Sequence, residues 1–207
     1  MNIKAVIFDI GGVLALGKFI NIKGKKRRAV HEDISKKLGI TIDQWFDLIE
    51  LSYPKAVEGK ISETAILNQI SKNTNVNKNR LRNMIIDAYK KNFIQNKKLY
   101  NFAFNLKKRE YKIAVLSNQW YFSKKAIILP RYMKRFDAVV ISCDIKMRKP
   151  NPEIYALIMK KLYLSPREIL FIDDFKLNIE PAKKLGMKTI LFKNNRQFFR
   201  DIKKFNL

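Results

Sequence analysis

Three short apolar runs in this chain end in groups able to do chemistry. Ala5 to Phe8 runs into Asp9, with Gly11 and Gly12 close behind; Ile113 to Leu116 runs into Ser117-Asn118; Ile169 to Ile172 runs into Asp173-Asp174. Between the second and third lies Arg148-Lys149-Pro150-Asn151-Pro152-Glu153. Taken singly, each has a plain structural reading: a turn, a helix cap, or a solvated lysine. Taken together on one edge of a parallel sheet, they would supply a carboxylate nucleophile, a hydroxyl and an amide to hold an anion, a lysine and a carboxylate pair. Asp9 with Asp173 and Asp174 is the hard oxygen set that Mg²⁺ prefers. A cation together with Lys149 would neutralise a phosphoryl group and lower the repulsion that blocks attack on it by a carboxylate.

Such convergence needs strands that run the same way. The apolar runs lack helical period and are hydrophobic on both faces, as buried parallel strands are. From residue 96 onward they alternate with helical patterns: Leu99, Phe102 and Leu106; Ile154, Leu157, Ile158 and Leu162; Ile179, Ala182 and Leu185, with Gly186 placed to end the last. Phe136 to Ser142 and Thr189 to Phe192 read as further strands, 196 to 205 as a closing helix, and Ser165-Pro166-Arg167-Glu168 as a capping box before a strand. Strand–helix alternation predicts a doubly wound α/β sheet, whose ligands bind at the carboxyl edge. Residues 15–99 differ. Val30, Ile34 and Leu38 share a helical face that Gly39 would end. Thr41 to Gln44 has capping-box spacing before Trp45, Leu48 and Ile49. Ser62 would cap a helix bearing Ile66 and Ile70, and Leu81, Ile85 and Ala88 mark a fourth. The expected organisation is an α/β core from 1–14 and 96–207, with a helical segment, 15–95, inserted between them.

Composition narrows the class. A single cysteine, Cys143, excludes an internal disulfide and fits a reducing compartment, and a single histidine, His31, excludes a His-rich metal site. Asp9 interrupts the first apolar run, so no signal-peptide pattern is expected, and no run reaches membrane length; a cytoplasmic location follows. The 43 Lys and Arg against 18 Asp and Glu give a formal charge of +25. That field attracts phosphorylated small molecules, nucleic acid and anionic membranes alike. Most of the basic residues are scattered over solvated faces; Lys23-Gly24-Lys25-Lys26-Arg27-Arg28 is a true cluster. No aromatic residues interleave it, which argues against a single-strand stacking platform and leaves nucleic acid the weaker partner reading.

The segments FDIGGVL, VLSNQ, RKPNPEIY and FIDDFKLNIEPAKKLGM, in this order, resemble the four motifs of the haloacid dehalogenase (HAD) superfamily, in the branch with a helical cap inserted after the first motif. The resemblance covers essentially the whole chain. It implies a Rossmann-like core of five parallel strands in the order 3-2-1-4-5 and a Mg²⁺-dependent phosphatase acting on a phosphorylated small molecule. By that resemblance Asp9 is the nucleophile that forms an aspartyl-phosphate. Ser117 and Asn118 bind phosphoryl oxygens, and Lys149 bridges nucleophile and phosphate. Asp9, the Gly11 carbonyl and Asp174 hold the metal, with Asp173 ligating or supporting it and Asn178 bracing that loop.

Gly11 stands where active phosphatases of the superfamily usually carry a second Asp, the general acid and base. General acid–base catalysis contributes roughly 10²–10⁴-fold, so its loss can cripple turnover without touching binding. His31 and Glu58 are the candidates for a substitute acid. A substrate with a good leaving group, such as a sugar 1-phosphate or an acyl phosphate, needs less help. The competing readings are a catalytically degenerate HAD-like binding or regulatory protein, a metal-free dehalogenase, and phosphonate cleavage by a lysine Schiff base. The paired Asp173-Asp174 argues against the dehalogenase, because adjacent like charges are costly without a cation.

Overall fold

The computed structural model describes residues 2–22 and 25–207, so Lys23 and Gly24 of the basic cluster lie outside the described residues. The first strand, β1 (Ala5–Phe8), is followed by β2 (Ala15–Gly17), β3 (Phe19–Ile22) and β4 (Lys25–Arg28). Five helices come next: α1 (Ala29–Leu38), α2 (Ile42–Ile49), α3 (Ser52–Val57), α4 (Glu63–Thr74) and α5 (Lys78–Asn92). After β5 (Phe93–Gln95) the chain runs through α6 (Lys97–Lys108), β6 (Lys112–Ser117), α7 (Tyr121–Ile127), α8 (Pro130–Met133), β7 (Ala138–Ile141), α9 (Ser142–Ile145) and α10 (Pro152–Leu162). It closes with β8 (Ile169–Asp173), α11 (Lys176–Lys184), β9 (Lys188–Leu191) and α12 (Asn195–Asp201).

Five of these strands form one parallel sheet in the order β7-β6-β1-β8-β9. Counted along the chain this is the expected order 3-2-1-4-5. β1 lies in the middle, with Phe8 in register with Val115 on one side and Ile172 on the other. The order reverses across β1, and crevices in open α/β sheets form at such reversals. All four β1 residues are fully buried. Val6 and Phe8 join a cluster with Leu99, Phe104 and Phe198, while Ala5 and Ile7 join a second with Ile154, Tyr155 and Ile179. A strand covered on both faces has no solvent side, which is why β1 is uniformly apolar.

The capping signals are realised. Thr41 Oγ1 accepts from Gln44 N–H while Gln44 Oε1 accepts from Thr41 N–H, and Ser62 Oγ accepts from Ala65 N–H. Gly39 ends α1 with a left-handed φ of 69°. The stretch from 15 to 99 is less purely helical than its sequence implies. It holds a fifth, short helix, α3, and two antiparallel pairs, β2 with β5 and β3 with β4. The β2–β5 pair joins residues some eighty positions apart, and β4 is Lys-Lys-Arg-Arg with no apolar alternation to announce it. The closing helix is α12 for 195–201 only; 202–205 tightens to a 3₁₀ turn. No helix is long and apolar enough to cross a membrane among the described residues.

Candidate active site

Asp9 follows directly on β1, and its N–H donates to Ile172 O of β8 at 2.9 Å, which ties the two strand ends together. The residue is buried, 6% exposed. One oxygen, Oδ1, accepts no well-aligned hydrogen bond among the described residues, although Lys149 Nζ stands 3.1 Å away as an ion pair. Burial in this pocket, opposed by Lys149 and reinforced by the Asp173 and Asp174 charges, pushes the Asp9 carboxyl up to about 7. A buried carboxylate oxygen without a donor is costly unless a ligand or ion satisfies it.

Lys149 is 1% exposed. Its Nζ donates to Asp173 Oδ2 at 2.6 Å and to Leu116 O at 2.8 Å, and it faces Asp9. Desolvation works against its charge, but Asp173 and Asp9 outweigh that and raise its pKa, so it remains an ammonium. Removing Lys149, the cation facing both carboxylates, would leave Asp9 and Asp173 uncompensated, and such a loss typically costs about 3–5 kcal/mol. Asn118 fixes the lysine from behind: its Nδ2 donates to Lys149 O and its Oδ1 accepts from Lys149 N–H, both at 2.9 Å.

The carboxylate pair splits into two different environments. Asp173 is fully buried with both oxygens occupied: Oδ1 accepts from Phe175 N–H at 2.8 Å and Oδ2 from Lys149, while Asn178 Nδ2 reaches each at 3.1 Å. Asp174 is half-buried, and among the described residues its side chain pairs with Arg28, at 3.3 Å. Burial pushes its pKa up despite that arginine. One oxygen each from Asp9, Asp173 and Asp174 lies within 4.8 Å of the others. Gly12, at φ +96°, makes this possible, because a Cβ there would collide with the Asp174 carboxylate. Three carboxylates this close, one with an orphaned buried oxygen, fit a hard divalent cation. Since Asp173 is already saturated by protein donors, the freer oxygens are those of Asp9 and Asp174.

The structure brings all the expected side chains together, but it gives two of them duties different from a direct hold on an anion. Asn118 is engaged by the Lys149 backbone. Ser117 is fully buried, and its Oγ accepts from Gln119 Nε2 at 2.9 Å and from Ile10 N–H at 3.4 Å. Beyond Asp9 opens a cavity of about 140 Å³, lined by Asp9, Gly11, Arg28, His31, Tyr53 and Gln119 among others. Gln119 escaped the sequence reading although it adjoins Ser117-Asn118. Arg28 was visible only as one member of a basic run.

The two substitute-acid candidates separate. Glu58 is held as a carboxylate by Lys60 at 2.7 Å and Arg148 at 2.9 Å, which lower its pKa, and it does not line the cavity. His31 does line it. The Trp45 indole N–H donates to His31 Nδ1 at 3.0 Å, which places the proton of the neutral ring on Nε2. Burial, with Arg28 nearby, lowers the His31 pKa from 6.5 to about 4. At neutral pH it is therefore a neutral hydrogen-bond donor, not an imidazolium acid. The linkage has a definite sign: the unfolded chain takes up the proton first, so this contribution is intact above pH 6.5 and lost as pH falls towards 4, in all on the order of 3 kcal/mol. Urea midpoints should fall between pH 6.5 and 4.5 in the wild type and fall less steeply in His31→Gln. Parallel slopes would mean that the ring titrates normally.

The sequence pattern of the haloacid dehalogenase-like hydrolases matches residues 3–186, and the chain belongs to that family. Bifunctional epoxide hydrolase 2 of Mus musculus is 26% identical over 230 residues, an alignment that takes in 99% of this chain but 39% of that relative. The chain thus spans about two fifths of that protein's length. The phosphorylated carbohydrates phosphatase of Thermotoga maritima is 37% identical over 57 residues, 28% of this chain and 26% of that one. Among solved structures, a HAD family enzyme from Bacteroides thetaiotaomicron in complex with magnesium and inorganic phosphate superposes with a TM-score of 0.74 at 23% identity, covering 96% of this chain and all of the other.

Proposed function

We propose that this chain is a Mg²⁺-dependent phosphatase acting on phosphorylated small molecules through an aspartyl-phosphate on Asp9, with residues 1–14 and 96–207 as the catalytic core and 15–95 as a helical cap. One observation carries the reading: a buried carboxylate whose Oδ1 accepts no hydrogen bond among the described residues and is held only as an ion pair, 3.1 Å from a buried lysine, clustered with two further carboxylates and lining a pocket. Asp9 and Asp174, with the Gly11 carbonyl, are the groups placed to hold the cation, which when bound would offset the charge of the phosphoryl oxygens. The relative that holds magnesium and inorganic phosphate has the ligand pair that this reading requires.

Each residue then has a task. Asp9 Oδ1 attacks phosphorus; a P–O bond forms to the carboxylate and the ester P–O bond breaks, releasing the alcohol oxygen. Lys149 favours the ionised form of Asp9 against its burial and holds a positive charge 3.1 Å from the attacking carboxylate. Asp173 and Asn118 hold that lysine in place, one by charge and one through its backbone. Ser117 contributes through the Asp9 loop, since its hydroxyl favours the ionised Asp9. Gly11 offers no proton to the departing oxygen, so this arrangement favours leaving groups that need none, such as acyl phosphates and sugar 1-phosphates. Water then attacks the aspartyl-phosphate: a new P–O bond forms as the bond to Asp9 breaks, phosphate leaves carrying one of the water protons while the other passes to solvent, and the Asp9 carboxylate is restored.

Phosphate release from a panel of esters, with Mg²⁺ or with EDTA, tests the reading. Turnover is expected with Mg²⁺ and to vanish in EDTA, with acyl and sugar 1-phosphates ahead of alkyl phosphates. Turnover that persists in EDTA would remove the metal from the reaction. The opposite ranking would mean that an acid group compensates for Gly11.

A further inference from the structure

Among the described residues one charged side chain, Arg28, reaches the Asp9 cavity from the inserted segment, and it sits in a fitted seat. The Arg28 guanidinium lies 5.3 Å from the Phe19 ring centre and 5.7 Å from that of Phe93, so aromatic rings from β3 and β5 hold it. Gly17 gives it room: a Cβ there would lie 2.9 Å from Arg28 Nη1 and 3.0 Å from the Phe93 ring. The guanidinium's ionic partner is Asp174, at 3.3 Å, whose chain position is 146 residues away. The remaining walls supplied by this segment, Val30, His31, Tyr53, Tyr89 and Phe93, are neutral, His31 included.

These contacts place two claims on one carboxylate. Asp174 is among the freest oxygen donors for a cation, and a cation there would displace the guanidinium. Arg28 would then be a half-buried charge among aromatic walls with no counter-ion, and such a charge needs a partner. We propose that Arg28 is a specificity-determining residue: released from Asp174 when the cation binds, it pairs with a second anionic group of the substrate, a carboxylate close to the phosphoryl group. A carboxylate suits the planar guanidinium fork, which binds it through two parallel hydrogen bonds. A neutral sugar or alcohol would leave the cation unpaired. The space beside Asp9, about 140 Å³, suits a compact molecule. The substrate class is therefore small phosphorylated carboxylic acids, best those whose phosphate sits on a good leaving oxygen, as Gly11 requires; the hydroxy-acid esters below test the carboxylate alone.

The turnover part of this inference rests on the phosphatase reading; the binding part does not. The matched probes are phospholactate and 1-hydroxypropan-2-yl phosphate, which differ in carboxylate against hydroxymethyl. With wild type and Mg²⁺, kcat/KM should favour the acid by tenfold or more, and Arg28→Met should bring the ratio to about one. Calorimetric binding of both intact esters to Asp9→Asn, with and without Arg28→Met, reads the same preference without chemistry. Mg²⁺ titration of substrate-free wild type and Arg28→Met should show several-fold tighter Mg²⁺ binding once the competing guanidinium is gone. An Arg28-dependent binding preference with no turnover of any ester would sink the phosphatase reading and leave this inference standing. Turnover without preference for the acid, equal losses on both esters in Arg28→Met, or unchanged Mg²⁺ affinity would each overturn the inference, because Arg28 would then serve the phosphoryl group or the fold alone.

Discussion

Asp9→Asn should abolish Mg²⁺-dependent phosphate release and, in EDTA at pH 8, raise the melting temperature. The loss of turnover follows from the nucleophile: an amide oxygen cannot form the aspartyl-phosphate. The gain in stability follows from what the fold does to that carboxyl. Its pKa is pushed from 3.8 to about 7, mainly by burial. A group whose folded pKa is raised binds its proton more tightly in the folded chain. Stability from this site is therefore greatest at low pH and falls as pH climbs from 4 through 7. At pH 8 the wild type carries a buried carboxylate that costs on the order of a few kcal/mol. Asparagine removes that charge, and Lys149 keeps Asp173 at 2.6 Å as its counter-ion. For a chain of this size about 1 kcal/mol moves Tm by roughly 2–4 °C, so an increase of several degrees is expected. The difference should shrink below pH 4, where Asp9 is protonated in either state, and shrink again with saturating Mg²⁺. An inactive variant less stable than wild type at pH 8 in EDTA would mean that the Lys149 pair outweighs desolvation.

The same trade of stability for reactivity explains which parts of the site the sequence disclosed. Asp9, Ser117 and Asp173 each close an apolar run, and parallel topology brings every such closing residue to one edge. Position in the chain therefore nearly determines position in the site. Lys149 was readable because its Arg-Lys-Pro-Asn-Pro setting resembles the third motif of the family. The caps at Thr41 and Ser62 were readable because they rest on local spacing, whereas the sheet order was what the family resemblance implied. What was not readable depends on pairings across long stretches of chain. Asp173 and Asp174 are neighbours in sequence, yet one is saturated by Lys149, Asn178 and the Phe175 N–H while the other meets Arg28. Nothing in a run of Lys and Arg says which member will turn inward; that is settled by Gly17, Phe19 and Phe93, placed by strands that carry no alternation signal. Likewise His31 reads as a proton donor until the Trp45 indole on the next helix takes its Nδ1.

Gly11→Asp should raise kcat on alkyl phosphate esters far more than on acyl phosphates. The argument begins with space. A Cβ at Gly11 would meet Gln119 Nε2 at 3.4 Å, an ordinary contact with the end of a flexible side chain, and the backbone there is not left-handed. Gly12, one residue on, is closed to any side chain by its φ of +96° and by Asp174. The chain thus admits a carboxyl at position 11 and forbids one at position 12. Position 11 lines the cavity beside Asp9, where a departing oxygen would need its proton, and Gln119 Nε2 could hold the new carboxyl in place. General acid–base catalysis is worth roughly 10²–10⁴-fold, with the largest share on the poorest leaving groups. An acyl phosphate already leaves as a carboxylate, so its rate should change by less than about tenfold. The test is a plot of log kcat against leaving-group pKa for wild type and Gly11→Asp. The slope should be steeply negative in wild type and flatter in the variant, the two lines meeting at the acidic end. Parallel lines would show that protonation of the leaving group does not limit turnover, and that the glycine was accommodated by another donor within the cavity, of which the His31 Nε2–H is the first to remove.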